Sequence, residues 1–341
     1  MDVESGTMNF TQQCIEYLDG VLDEIRGFGD SVCVLEDTHL ATLNIQRAEA
    51  LDIEEQTVDF GRRFFYPRFT LDQARQKTTD FFTDHEEELN HHVWPKRCRR
   101  GSFDDDVCEP SRGPLDPEER HPLCYAETDA QFRLDWFIAA SGMYYDDPWS
   151  TSPNLGVWEG SEWRYRIAGN LPGHSPPGVR VGTPPQAYSF RVSTACLIED
   201  DAAQIPHIGG TVLDSVESKE GEVLRSEVVA AVAFLKLQFR RGDFCHHHTL
   251  PAIVFSFQHD RFGRVTQFHF DGRSLVLRQS RLLNFRSDEP TIDAYHMIRW
   301  MANRPMGETR FRKAAEEGPE GPGLRDVDQS SGQLPVEVRG A

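Results

Sequence analysis

Phe10, Cys14, Leu18, Val21, Leu22 and Ile25 recur every three or four residues, with Thr11 placed to cap. The spacing predicts an amphipathic helix over residues 11–26 whose opposite face is acidic. A second helix is expected from Thr70. There Thr70 and Gln73 stand at capping-box spacing, Leu71, Ala74, Phe81 and Phe82 supply an apolar side, and the pattern runs to about His92. Residues 95–122 lose this periodicity and collect Pro, Gly, Arg and the run Asp104-Asp105-Asp106, the composition of an exposed loop. Phe132, Trp136, Phe137, Tyr144 and Tyr145 then offer core residues. The Pro/Gly-rich passage from Pro148 to Pro185 still carries Trp149, Trp158 and Trp163, so it reads as an irregular layer packed on a core, not as a free linker.

Regular alternation returns near Ala187. Tyr188 to Ile198 and Thr211 to Glu217 read as strands, followed by a helix over Glu222 to Phe239. Almost every residue from Val228 to Leu235 is apolar, so this helix is expected to be covered on more than one side. Three further strands are predicted at Leu250–Gln258, Arg264–Phe270 and Ser274–Ser280, with the last two joined at Asp271-Gly272, a strong hairpin signal. A helix over Thr291–Asn303 closes the unit ahead of Pro305, and the Glu/Gly/Pro/Ser-rich stretch beyond Glu316 has the composition of a disordered tail. The expected fold is therefore α+β: a central mixed sheet with antiparallel C-terminal hairpins, packed by a buried helix and by N-terminal helices. It is expected to form a single composite domain over residues 1–313, with residues 314–341 as the tail.

Charge changes this picture in one respect. The formal net charge of −19 divides into −22 over residues 1–224, +7 over 225–313 and −4 over 314–341, and thirty-one Arg stand against five Lys in the whole chain. The acidic excess opposes a general affinity for nucleic acid or anionic membrane. The basic part still offers Arg264, Arg273 and Arg278 as candidate anion-binding residues, because a guanidinium fork matches phosphate or carboxylate oxygens. An acidic N-terminal part that neutralises this basic core internally is the plainer account. The Val228–Leu235 run is far shorter than the roughly 18 apolar residues of a membrane-spanning helix, so no membrane association is expected. The first thirty residues show no basic start followed by an apolar run, and seven scattered cysteines make no disulfide framework, so an intracellular setting, cytoplasmic or nuclear, is expected.

Over residues 187–285, the order of strand, strand bearing Glu217-Ser218-Lys219, buried helix and antiparallel strands resembles the PD-(D/E)XK nuclease-like superfamily. The resemblance implies a metal-dependent phosphodiesterase. Glu217 with Asp200 or Asp201, or with Asp214, would hold magnesium or manganese, and Lys219 would position or activate the attacking water. Residues i and i+2 of a strand share a side, so on a strand Glu217 and Lys219 would address one phosphate together. The chain departs from the family pattern in having no Pro-Asp dipeptide ahead of the triplet, and Glu217-Ser218-Lys219-Glu220 also reads as a solvated turn before a helix. The run from His247 to Phe285, with His247-His248-Thr249-Leu250-Pro251, Gln258-His259-Asp260 and Asp271-Gly272-Arg273-Ser274-Leu275-Val276-Leu277, is similar to uncharacterised proteins of filamentous ascomycetes. That similarity implies a fungal setting and supplies no mechanism.

Cys98, Cys108, His121 and Cys124 are ligand types suited to zinc, although nine, twelve and two intervening residues do not make paired C-x-x-C units. A flexible surface loop explains the same residues. No G-x-S-x-G elbow, P-loop, H-E-x-x-H helix or G-x-G-x-x-G fingerprint occurs, which removes support for the common hydrolase, NTPase, zincin and dinucleotide classes. The leading expectation is an accessory protein that binds another protein through its α/β core. A magnesium- or manganese-dependent nuclease and a structural zinc protein stand as alternatives.

Overall fold

The computed structural model describes residues 3–29, 31–55, 63–89, 130, 133–138, 163–167, 178–181, 188–198, 205–244, 246–259 and 261–311. The helices are α1 (Val3–Gly27), α2 (Asp37–Thr42), α3 (Leu71–Asp84), α4 (Arg225–Arg241) and α5 (Ile292–Met301), with a further turn at Glu86–Leu89 and a helical stretch over 133–138. The main sheet runs in the order β2 (Ile45–Arg47), β11 (Leu275–Gln279), β10 (Phe262–Phe270), β9 (Leu250–Gln258), β7 (Ile208–Asp214), β6 (Tyr188–Ile198), β4 (Trp163–Ile167). The short strands β5 (Gly178–Val181) and β12 (Leu283–Asn284) pair with β6 and β10. Two small ladders lie outside this sheet: β1 (Val34–Leu35) with β8 (Val223–Leu224), and β3 (Phe65–Pro67) with β13 (Asn303–Pro305). The described residues up to Arg310 form one compact unit. The fold is α+β with a mixed sheet and antiparallel hairpins.

Sheet polarity follows from the connections. The β6–β7, β9–β10 and β10–β11 pairs are antiparallel and short-linked, whereas β7 and β9 are parallel and need the α4 crossover between them. Successive residues face opposite sides, so Val212, Val254 and Phe268 belong to the core under α1 and α4, while Leu213, Phe255, Phe257 and Val265 belong to the core under α5 and the 133–138 stretch.

Helix α4 is sealed on both sides, as its apolar run requires. Its inner face meets the sheet and its outer face meets Cys14, Leu18, Val21 and Ile25 of α1. Lys236 pairs with Asp19, and Arg225 donates to the carbonyl of Ile25 at 2.8 Å, tying the first turn of α4 to the end of α1. Gly242, at φ 74°, ends the helix in the left-handed conformation that glycine adopts without a Cβ penalty. Gly210 on β7 serves contact instead: a Cβ there would overlap the Thr194 carbonyl and the Phe234 ring, so its absence lets α4 settle on the sheet.

Several predicted boundaries need correction. Helix α1 begins at Val3, so Thr11 lies inside it and caps nothing. Helix α3 ends at Asp84, well short of His92, although its predicted Thr70–Gln73 capping box forms, with Gln73 N–H donating to Thr70 Oγ1 at 3.2 Å. Strand β7 stops at Asp214 and not at Glu217, because the Asp214 carboxylate accepts the Val216 amide at 2.8 Å and turns the chain. No helix among the described residues is long and apolar enough to cross a membrane.

Candidate functional site

The parallel strands β7 and β9 end side by side at Asp214 and Gln258, beneath the N-terminus of α4. This edge gathers the largest set of buried polar side chains around the crossover. Asp214, fully buried, accepts from Tyr188 Oη at 2.8 Å and from Ser226 Oγ. Burial pushes its carboxyl up to about 7, because desolvation outweighs these donated bonds. Tyr188, buried beside it, is raised well above the ordinary phenol range by burial and by the Asp214 charge.

Next to Ser226, Glu227 of α4 is equally buried and holds together four elements. It accepts from Ser256 Oγ at 2.7 Å, Gln279 Nε2 at 3.1 Å and Leu224 N–H at 3.2 Å, with the Arg264 guanidinium 3.6 Å away. Arg264 also donates to Ser218 Oγ at 2.6 Å, to the Lys219 carbonyl at 3.0 Å and to the Glu222 carbonyl. The loop after β7 is thus fastened over the cluster by Arg264 and by Gln258, whose Oε1 accepts Ser218 N–H and Oγ–H at 2.9 and 2.8 Å. Apart from the Arg264 Nε–H, which has no acceptor, these groups satisfy one another and are closed to solvent, which makes the cluster a structural lock on the crossover.

The residues singled out from sequence fall as follows. Glu217 and Lys219 lie in that loop and not on a strand, so the shared-side geometry expected of a strand does not apply to them. Lys219 is exposed, and Glu217 is held by Arg286 at 3.1 Å and Arg261 at 3.5 Å, with Arg286 also lying over the Phe262 ring. Arg264 and Arg278 are buried, a correction to the idea of a basic face on these strands. Arg278 gives its N–H groups to the carbonyls of Glu49 at 2.9 Å and Ala50 at 3.1 Å. Arg273 alone of the three is exposed, in the β10–β11 turn. Asp200, Asp201, Cys98, Cys108, His121 and Cys124 lie outside the described residues, as do all of the 95–122 passage, most of the 148–185 passage and the tail from residue 314. Among the described residues no three His, Cys, Asp or Glu side chains stand together as a metal-binding group.

An open site lies elsewhere, at the N-terminal ends of α3 and α5. Glu54, Thr70, Leu71, Asp72, Arg281, Ile292, His296 and Arg299 line a groove of about 520 Å³. Thr70 caps α3 and Thr291 caps α5 by accepting Ala294 N–H at 3.2 Å, which places Leu71, Asp72 and Ile292 in the first turns facing the groove. Arg281 forms its floor. It is bound by Asp293 at 2.6 and 3.0 Å and by Glu54 at 2.6 Å, and the bond to Asp293 drives its guanidinium pKa higher still. Burial works against ionisation of Asp293, yet Arg281 and the Asn284 amide hold its carboxyl below the usual range. Arg299 donates to the Phe69 carbonyl at 2.6 Å and pairs with Glu55. Burial lowers His296, so the ring favours its neutral form. Sequence reading missed this groove because its residues come from four separated segments; the two N-cap threonines were the only local signal.

Comparison of the chain with protein-family models, with curated proteins and with solved structures finds no match.

Proposed function

We propose that the chain is an intracellular binding protein, cytoplasmic or nuclear, whose partner is a protein and whose recognition surface is the groove between the starts of α3 and α5. One observation carries this reading. The groove presents the Ile292 side chain, 62% exposed, beside Arg281 and Arg299, which are already positioned by partners of their own, whereas the polar cluster at the β7–β9 edge is closed. An exposed apolar anchor within a ring of fixed polar groups is the composition of a recognition site, where the anchor supplies contact area and the polar groups supply orientation. The test is selection of displayed random peptides on the wild-type protein and on Ile292→Asp. Because Ile292 is exposed at the first turn of α5, the variant is expected to fold. Peptides enriched by the wild type and lost by the variant support the reading; equal enrichment on both proteins overturns it.

A metal-dependent nuclease is the second reading. What favours it is the order of elements, with the β6–β7 hairpin, α4 and then the strands β9 to β11, and Glu217-Ser218-Lys219 following β7 directly. The surroundings fit a divalent cation poorly: the neighbours of Glu217 include two guanidinium groups, and Asp214 is closed over by Tyr188 and Ser226. No step is therefore derived through magnesium or manganese. Cleavage of single- and double-stranded DNA and RNA with either metal, lost in folded Glu217→Ala and Lys219→Ala, would establish this reading against the first. A structural zinc ion on Cys98, Cys108, His121 and Cys124 is decided by metal analysis of the purified protein.

A further inference from the structure

The groove has an electrostatic preference that its mixed lining conceals. Arg281 and Arg299 contribute positive charge, but Arg281 is paired with Asp293 and Glu54, and Arg299 is paired with Glu55. The charged groups acting on His296 are Glu54, Asp293 and Asp52 against Arg281, three carboxylates to one guanidinium. Asp72, at the second position of α3, is exposed on the rim and has no hydrogen-bond or ion-pair partner among the described residues. His296 is itself only 5% exposed, lines the groove, and its Nδ1 has no hydrogen-bond partner, an unusual state for a buried ring nitrogen. Beside these polar groups lie Ile292 and the half-buried Leu71.

We infer that the groove receives an arginine side chain from a segment of the partner protein. The guanidinium would pair with Asp72, and its aliphatic stem would cross Ile292 and Leu71. Each part of the lining matches a part of that side chain. A guanidinium offers five N–H donors in a planar fork suited to carboxylates, and its stem buries against apolar surface while the charged head stays polar. An anionic segment meets no unpaired cation in the lining, since Arg281 and Arg299 are held by the protein's own carboxylates, whereas Asp72 is a carboxylate with no partner among the described residues.

This inference rests on the groove being the recognition surface, and the experiment separates the two. A short fluorescein-labelled peptide with an Ala-Leu-Arg core is titrated against the full chain, beside versions with citrulline or glutamate in place of arginine. Citrulline keeps the shape and removes the charge. The arginine peptide is expected to bind at least about tenfold more tightly than the citrulline peptide, the loss that follows from a charge-assisted hydrogen bond to carboxylate. Asp72→Asn is expected to weaken the arginine peptide about tenfold while leaving the citrulline peptide unchanged, and backbone amide shifts on titration are expected at Leu71, Asp72 and Ile292. Asp72→Asn is the deciding variant, because Asp72 is exposed and bonds nothing, whereas Glu54→Gln also disturbs Arg281.

Equal binding of the arginine and citrulline peptides, tighter binding of the glutamate peptide, no effect of Asp72→Asn, or no binding at all each overturns the inference. If displayed-peptide selection yields Ile292-dependent binders that lack arginine, the binding role stands and the arginine preference fails. If selection yields no Ile292-dependent binder, both fall together.

Discussion

Replacing Asp214 by Asn should make the protein more stable at neutral pH, by an amount that grows with pH in a defined window. The Asp214 carboxyl titrates at about 7 in the folded chain against 3.8 for an unperturbed aspartate. A folded value raised above the unfolded one means that its contribution is complete below about pH 4 and is lost as pH rises through 7. The two values lie about three pH units apart, each worth about 1.4 kcal/mol, so the loss amounts to about 4 kcal/mol. His207 works in the opposite sense: burial lowers it from 6.5 to about 4, so its contribution is complete above 6.5 and disappears as pH falls through 4. The wild type therefore conceals both effects by partial cancellation, and the variant removes only one. Asparagine suits the site, since its Oδ1 can still accept Val216 N–H while its amide faces the hydroxyl oxygens of Tyr188 and Ser226, which rotate to accept. Urea unfolding from pH 4 to pH 8 should show the variant gaining about 4 kcal/mol on the wild type across the range. A difference that stays constant with pH, or one that moves against the variant as pH rises, refutes the assignment of a buried, proton-holding carboxyl.

Arg264→Met leaves Glu227 charged and buried without its guanidinium, which should cost about 3–5 kcal/mol in chemical denaturation. Adding Glu227→Gln should recover a large part of that cost, and a single-variant loss below about 1 kcal/mol would contradict the lock described for the crossover. Gly210→Ala drives a methyl group into the Thr194 carbonyl and the Phe234 ring, so it should cost at least about 1–3 kcal/mol. The variant melting like the wild type would show that the close approach of α4 to β7 is not required. Thr70→Ala removes the side-chain half of the α3 capping box and should lower stability by about 1 kcal/mol, read as a reduced midpoint in thermal unfolding.

Much of the fold could be read along the chain because its signals are local. The continuous apolar stretch of α4 announces cover on both sides, Asp271-Gly272 makes the hairpin with Gly272 at φ 91°, and β9 occupies the expected Leu250–Gln258. What escaped depends on partners far away. Strand β2 is three residues long with only Ile45 buried, too short to show alternation, and it exists because β11 offers it an edge. Arg264 and Arg278 read as surface residues because they are charged, yet loops at 49–50 and 218–222 bring carbonyl groups to them inside the protein. Glu217, the first residue of the triplet, was read as the end of a strand because Val212, Leu213 and Val216 suit one; the side chain of Asp214 stops the strand first. The groove was illegible for the same reason, since nothing in the sequence near residue 54 points toward residues 281 or 296.

The pairing of β2 with β11 sets a schedule for the chain's synthesis. Asn44 bonds the carbonyl of Arg273, 229 residues further on, and the end of α1 receives Arg225 across 200 residues. At about 5–20 residues per second, roughly 10–50 s pass between the emergence of these segments and that of their partners. Throughout that interval the stripe of Cys14, Leu18, Val21 and Ile25 has no helix to lie against. A nascent chain halted before α4 would leave the ribosome with that stripe uncovered, and its first requirement would be a chaperone for it.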